Sequence, residues 1–86
     1  MNLYWTSHAW EDYIYWQTKN KKILKRINQL IKDIQRNPFS GLGKPEPLKF
    51  DLAGKWSRRI NETHRLVYQA NNNDKEIIIY QCRYHY

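Results

Sequence analysis

The spacing of apolar residues changes its period part-way along this 86-residue chain. From Lys21 to Ile34 apolar residues recur every three or four positions, which is typical of an amphipathic helix. After Gly54 they alternate with polar residues, which is typical of strands. The pattern predicts an α+β fold in a single domain, residues 1–86, with the helices near the N-terminus and a mostly antiparallel sheet built from the C-terminal half.

The N-terminal half predicts one strand and two helices. Asn2 to Trp5 suits a short opening strand, and Thr6 or Ser7 can cap a first helix. Asn20 interrupts this helix, and Asn37 followed by Pro38 ends the second one. One side of the first helix is predicted to carry Trp10, Tyr13, Ile14 and Gln17. The apolar stripe of the second helix is predicted to cover the sheet with Ile27, Leu30, Ile31 and Ile34.

The segment from Pro38 to Phe50 holds all three prolines and two of the three glycines, so it is predicted to be a loop. Glu46 lies between two of these prolines. Their rings restrict the backbone around Glu46 to extended conformations, which would hold this carboxylate in place. On spacing alone, a glutamate in a solvated loop is the alternative interpretation.

Three strands are predicted after Gly54, over residues 56–60, 65–70 and 76–86. If both connecting turns are simple hairpins, Ile60 faces His64 and Ala70 faces Glu76, and residues directly opposite share a face. The predicted core face then holds Ile60, Leu66, Tyr68, Ala70, Ile78, Tyr80 and Cys82. The predicted polar face holds Ser57, Arg59, Arg65, Gln69, Gln81, Arg83 and His85, with Val67, Ile77 and Ile79 among them.

This register predicts that Arg59 lies directly opposite Arg65. Like charges opposed on a sheet cost up to about 1 kcal/mol unless an anion lies between them, and a phosphate would remove that cost. A solvated sheet face is the alternative interpretation of these arginines.

Charge and cysteine content limit the classes of function. The formal net charge of +7 favours a polyanionic partner, which could be nucleic acid, an anionic membrane surface or an acidic protein. The single cysteine, Cys82, excludes an internal disulfide and fits a reducing compartment. No Cys/His cluster has zinc spacing, and no apolar run approaches the ~20 residues of a membrane span. We therefore expect a soluble cytoplasmic protein that uses no metal and no other cofactor.

RNA cleavage by the substrate's own 2′-OH is a reaction that such a domain can run without a metal. It needs a general base, a cation at the phosphate and a general acid. We predict Glu46 as the base, Arg65 as the cation and His85 as the acid, with Arg59 and Lys49 as further phosphate contacts. His8, at a helix start, and His64, on the opposite face from His85, are weaker candidates for the acid. Cys82 is predicted to point into the core.

Four segments, GKPEPLK, WSRRI, HRLVY and the terminal CRYHY, closely resemble the Txe/YoeB family, a branch of the RelE-like bacterial toxins. The resemblance runs over essentially the whole chain. It implies a RelE-like fold and an endoribonuclease that cleaves messenger RNA in the ribosomal A site, with Glu46 as base, Arg65 as phosphate stabiliser, His85 as acid and Tyr86 beside it. Lys49 and Arg59 match substrate-binding positions of the family, and Arg83 joins them as a candidate contact.

The same resemblance implies partners. They are a cognate YefM-like antitoxin, the ribosome and its messenger RNA, operator DNA only through the antitoxin complex, and a second copy of the chain in a homodimer. The alternative function is a non-catalytic inhibitor of the same fold, which binds nucleic acid or a protein target without cleaving it. Such an inhibitor would not need Glu46 and His85, whereas a nuclease would.

Overall fold

The computed structural model, which describes residues 1–71 and 73–84, has two helices packed on one face of a five-stranded sheet. The elements are β1 (Asn2–Trp5), α1 (Ser7–Lys19), α2 (Lys21–Arg36), β2 (Glu46–Pro47), a short 3₁₀ helix (Phe50–Leu52), β3 (Trp56–Arg59), β4 (Arg65–Asn71) and β5 (Glu76–Gln81). The strand order is β1-β5-β4-β3-β2, in which only β1 and β5 run parallel. This confirms the predicted α+β class and the mostly antiparallel sheet.

Side-chain caps set the limits of both helices. The Thr6 hydroxyl accepts a hydrogen bond from the main-chain N–H of Ala9 at 3.1 Å and so caps α1. Asn20 ends α1 and caps α2, because its side-chain oxygen accepts from the N–H groups of Lys22 and Ile23. Asn37 ends α2 immediately before Pro38, as predicted.

The buried residues of α1 are not those on the side that the sequence pattern picks out. Ala9, Asp12 and Trp16 are buried, and all three contact Cys82. The Asp12 carboxylate accepts the N–H of Cys82 at 3.1 Å, and the Trp16 indole donates to its carbonyl at 2.8 Å. The need to pair these buried main-chain groups outweighs the apolar pattern. The predicted face is half-buried at Tyr13 and exposed at the other three positions, Trp10, Ile14 and Gln17.

The main core lies between α2 and the sheet. The four predicted residues of α2 are all buried, which confirms that this helix covers the core face. From the sheet, the core contains Ile60, Leu66, Tyr68, Ile77, Ile79 and Cys82. At about 1.5–3 kcal/mol for each large aliphatic side chain removed from water, this contact is the main source of stability.

The predicted register is right between β3 and β4 and wrong between β4 and β5. Arg59 does lie opposite Arg65. Across the next pair, however, Ala70 faces Ile77 instead of Glu76, a shift of one residue. A shift of one residue exchanges the faces of a strand. Ile77 and Ile79 therefore lie in the core, and Ile78 and Tyr80, which were predicted there, are only half-buried.

A bulge in β5 then restores the predicted alternation. Tyr68 pairs with Ile79 but Val67 pairs with Gln81, so Tyr80 is an extra residue without a partner in the ladder. Beyond it, Cys82 points into the core as predicted. β5 ends at Gln81 rather than continuing to Tyr86, and His85 and Tyr86 lie outside the described residues.

The predicted loop contains a short strand. Glu46 and Pro47 form β2, which pairs with Ser57 and Trp56 at the edge of the sheet. The extended backbone that the flanking prolines favour is compatible with this pairing. None of the helices in the described part of the chain is long and apolar enough to cross a membrane.

Candidate active site

The sheet face turned away from the helices brings together the polar residues predicted to act on RNA. Glu46 lies opposite Ser57, Ser57 lies opposite Val67, and Arg59 lies opposite Arg65. We call these five residues the site face. Ser57 and Val67 are buried and form its floor, whereas Glu46 and Arg59 are exposed at its rim.

The spacing of a β-sheet gives the scale of this site. Strands lie about 4.8 Å apart and residues i and i+2 about 6.7 Å apart, so the β-carbons of Glu46 and Arg59 are roughly 8 Å from each other. Arg65 is one further strand away, roughly 12 Å from Glu46. A carboxylate and two guanidinium groups can therefore reach opposite sides of one phosphodiester.

Arg65 is held at one end of its guanidinium group. Its Nη1 donates to three main-chain carbonyls of the β3–β4 turn, those of Asn61 (2.7 Å), Glu62 (3.3 Å) and His64 (3.1 Å). Among the described residues, no hydrogen bond uses its Nε or Nη2. The turn therefore orients the guanidinium while it leaves N–H donors for a bidentate contact with an anion.

Arg59 adds a second positive charge directly beside Arg65. Its side chain is exposed, and its main-chain N–H donates to the carbonyl of Gly43 at 2.7 Å. No ion pair with an acidic group joins either arginine in the described part of the chain. An anion bound between them would lower the mutual repulsion of the two arginines.

Glu46 and Lys49 share a groove at the edge of the sheet. The groove is lined by residues 46 to 50 and by Leu52. Phe50 lies at its rim with 92% of its surface exposed and with a left-handed backbone (φ 56°), which is uncommon for a residue other than glycine. The groove thus combines an acid, a cation and an open aromatic ring.

A buried arginine fixes the loop that leads to Glu46. Arg58 lies on the core face with 0% exposure. Its guanidinium donates to the Asp33 carboxylate at 2.5 Å and to the carbonyls of Asn37, Ser40 and Leu42 at 2.5–3.1 Å. The loop therefore folds around a charge that β3 supplies.

Two further groups complete this network. The N–H of Leu42 and the Arg58 guanidinium both donate to Asp33, and they lower the pKa of its carboxyl group. The Tyr68 hydroxyl accepts from Arg58 Nε and donates to the carbonyl of Pro38, and burial raises its pKa. Tyr68 is therefore a neutral donor that links the loop to β4.

Gly41 is required by the close approach of this loop to α2. Its backbone is left-handed (φ 112°), and a β-carbon at this position would lie 2.2 Å from the Asp33 carboxylate oxygen. A larger residue would push the carboxylate away from both of its donors.

The last described residues return to the start of β4. The carbonyl of Tyr84 accepts from the main-chain N–H of Arg65 at 3.1 Å, and the N–H of Tyr84 donates to Nδ1 of His64 at 2.7 Å. The guanidinium of Arg83 stacks 3.6 Å from the ring centre of Tyr15 on α1 and 4.6 Å from that of Tyr84. The Arg83 guanidinium is therefore held against α1.

The structure thus brings together Glu46, Arg59 and Arg65 and places Lys49 next to Glu46. Arg58 and Asp33, which organise the loop, are absent from the set that the sequence predicts. The alternation of β3 could have found Arg58, because it shares the parity of the buried Ile60. Cys82 is buried as predicted, and burial raises the pKa of its thiol to about 12.

A profile of YoeB-like toxins of bacterial type II toxin-antitoxin systems matches residues 5–86. The chain belongs to the YoeB family. It is 58% identical to the toxin YoeB of Streptomyces coelicolor over 86 residues, which is the full length of both chains. The range matched by the YoeB profile therefore includes all five residues of the site face.

Solved structures of YoeB toxins agree with this fold. A YoeB/ParE toxin from Agrobacterium tumefaciens is 49% identical and superposes with a TM-score of 0.97 over 100% of both chains. A YoeB dimer from Staphylococcus aureus, also 49% identical, superposes with a TM-score of 0.91 over 100% of this chain and 98% of that one. A YoeB-YefM complex has been solved from the same organism, with 49% identity, a TM-score of 0.90 and the same coverage.

More distant toxins share the fold alone. YafQ from Escherichia coli is 16% identical and superposes with a TM-score of 0.80 over 98% of this chain and 92% of that chain. A chain of the toxin-antitoxin complex RelBE2 from Mycobacterium tuberculosis is 25% identical and superposes with a TM-score of 0.72 over 98% of this chain and 96% of that chain, which confirms the predicted RelE-like fold. The protein is a type II toxin-antitoxin toxin of the YoeB family.

Proposed function

We propose that this YoeB-family toxin is an endoribonuclease that cleaves messenger RNA in the ribosomal A site and so inhibits translation. The observation that carries the proposal is that the sheet register puts one carboxylate, Glu46, and two guanidinium groups, Arg59 and Arg65, on a single open face. A base beside two cations is the arrangement needed to activate a hydroxyl next to a phosphodiester.

The proposed reaction is an internal displacement at phosphorus. Glu46 accepts the proton of the ribose 2′-OH, the 2′-oxygen forms a bond to phosphorus, and the bond from phosphorus to the 5′-oxygen breaks. His85 donates a proton to the departing 5′-oxygen, with Tyr86 beside it, and the products are a 2′,3′-cyclic phosphate and a 5′-OH. Arg65 stabilises the charge that builds on the phosphate. The side chains supply every proton and charge that this reaction needs, so we propose that it uses no metal and no other cofactor.

Lys49, Arg59 and Arg83 are proposed as RNA contacts. Lys49 and Arg59 flank Glu46 on two sides, and both are exposed. The Arg83 guanidinium stacks on Tyr15 and donates from Nη2 to the Tyr84 hydroxyl, so contact with a phosphate would use the other N–H donors at its edge.

We also propose that a YefM-like antitoxin neutralises this toxin in the cytoplasm and that the toxin forms a homodimer. The relatives from Staphylococcus aureus support both partners, since one was solved with YefM and another as a dimer. Operator DNA is proposed as a partner only through the antitoxin complex. The net charge of +7 suits an acidic antitoxin segment and ribosomal RNA alike.

The test maps the 5′ ends of messenger RNA after induction of the wild type, Glu46→Gln and His85→Gln. We expect new 5′-OH ends at codons within ribosomes for the wild type. Each variant should lower cleavage about 10²- to 10⁴-fold, which is the typical contribution of one proton transfer. His8→Gln is the matched control, because this exposed histidine at the start of α1 is not a residue of the site face.

Two outcomes would contradict the proposal. Growth inhibition that persists in both variants without new RNA ends would favour a non-catalytic inhibitor of the same fold. Equal cleavage by the wild type and His85→Gln would remove His85 as the acid.

A further inference from the structure

A histidine side chain takes the place of a main-chain partner where β5 has ended. Past Gln81 the chain runs on to Tyr84, whose backbone is left-handed (φ 64°). The carbonyl of Tyr84 still accepts from the N–H of Arg65, as in a strand ladder. Its own N–H instead donates to Nδ1 of His64 at 2.7 Å. His64 thus supplies an acceptor that the ended strand lacks.

His64 is itself fixed from two sides. Its ring lies edge-on to Trp16, with ring centres 4.8 Å apart and planes at 73°. Its carbonyl accepts from Nη1 of Arg65 at 3.1 Å. The same Trp16 holds Cys82 through its indole N–H at 2.8 Å. Residues 82 and 84 are therefore tied by two neighbouring side chains that pack on each other.

The direction of this hydrogen bond sets the form of the imidazole. An Nδ1 atom whose lone pair accepts a hydrogen bond cannot also carry a proton, so His64 is the neutral tautomer with its proton on Nε2. A protonated His64 would present two donors and would repel the N–H of Tyr84. His64 therefore holds Tyr84 only as a neutral acceptor.

We infer that His64 is a positioning residue for the cleavage step. It fixes the main chain of Tyr84 against Arg65, and so it fixes the point from which the chain leads to the proposed acid, His85. The inference rests on the proposed function, because it assigns His64 a role in presenting the acid of that reaction. In this role His64 acts through the main chain of Tyr84 and transfers no proton itself.

Two substitutions separate the acceptor from the ring. His64→Asn places an oxygen at the same position along the side chain as Nδ1 but has no ring, whereas His64→Phe keeps a ring against Trp16 and has no acceptor. We expect His64→Asn to keep kcat for ribosome-bound messenger RNA within about threefold of wild type. His64→Phe should lose about 10- to 100-fold in kcat with KM unchanged, since a lost hydrogen bond and a displaced catalytic group have effects of this size.

A second measurement reads the hydrogen bond without activity. In the ¹⁵N-labelled toxin, hydrogen exchange of the Tyr84 amide should be slow in the wild type and in His64→Asn, and at least about tenfold faster in His64→Phe. The exchange of amides in α2 should not change, which would separate local release from general loss of stability.

The outcomes distinguish the two proposals. Equal exchange of the Tyr84 amide in all three proteins, or equal kcat for His64→Phe and wild type, would overturn the role of His64 alone. A larger loss in His64→Asn than in His64→Phe would also overturn it, because packing rather than acceptance would then be the requirement. If the wild type produces no new RNA 5′ ends, the proposed function fails as well, whatever the exchange of the Tyr84 amide shows.

Discussion

Removal of the charge on Asp33 tests how the buried Arg58 is stabilised. In Asp33→Asn the shape is kept, but the fully buried guanidinium loses its only anionic partner among the described residues. Loss of one partner from a buried pair costs about 3–5 kcal/mol. Asp33 keeps 20% of its side chain exposed and Arg58 retains three carbonyl acceptors, so we expect a smaller loss, about 2–3 kcal/mol.

Urea unfolding followed by tryptophan fluorescence measures this loss. At a slope of about 1 kcal/mol per molar urea, the midpoint should fall by about 2–3 M, and the thermal midpoint should fall by about 10–20 °C. Asp51→Asn is the matched control, because Asp51 is exposed and forms no ion pair with a described residue. It should stay within about 0.5 kcal/mol of wild type.

The pH dependence gives an independent check. Folding lowers the pKa of Asp33 below the value of about 3.9 for an unfolded aspartate. Its contribution to stability is therefore complete above that unfolded value and disappears as the pH falls through the folded pKa. The difference between wild type and Asp33→Asn should narrow as the pH is lowered from 7 toward 3. A difference below about 0.5 kcal/mol at pH 7, or one that does not change with pH, would refute this account of Arg58.

Two other predictions concern the loop and the cysteine. Gly41→Ala should destabilise the toxin by at least about 1 kcal/mol more than Gly54→Ala. Both backbones are left-handed, but only a β-carbon at position 41 would meet a carboxylate oxygen, at 2.2 Å. Equal urea midpoints for the two variants would contradict this. Cys82 should resist iodoacetamide at pH 8 until urea unfolds the chain, because burial raises its thiol pKa to about 12. Rapid labelling of the native toxin would instead show that the thiol is accessible. The raised pKa also predicts that the stability of the fold falls once the pH exceeds the thiol pKa of the unfolded chain, about 8.5.

The sequence predicts α2 and the β3–β4 hairpin because their apolar spacing has a single interpretation. In β5 the four apolar residues from Ile77 to Tyr80 are consecutive, so alternation carries no signal there. The predicted register of β5 therefore depended on the length assumed for the turn after Asn71, and an error of one residue exchanged the two faces of the strand. Predictions that relied on β3 and β4, such as Arg59 opposite Arg65, were unaffected.

Buried polar groups were the other source of error. Neither Arg58 nor Asp12 carries an apolar signal, and each is buried because it pairs with main-chain groups that are distant in sequence. Glu46 and Arg65 do lie on one face, but the sequence predicted only the position of Arg65, which needs the pairing of β3 and β4, whereas the short strand β2 that brings Glu46 there was predicted as a loop. Their catalytic roles, and those of His85 and Tyr86, remain predictions.

The pairing of β1 with β5 has a consequence for the synthesis of the toxin. β1 is the first strand to leave the ribosome, yet it runs parallel to the strand that is made last, and Leu3 and Trp5 pack beside a core that includes Ile77 and Ile79. Contacts between such distant segments form late, because the intervening chain must first exist and then close. A nascent chain therefore keeps its first strand unpaired until β5 emerges. If the proposed function holds, a toxin that acts on translating ribosomes completes its own fold only after a ribosome has made β5.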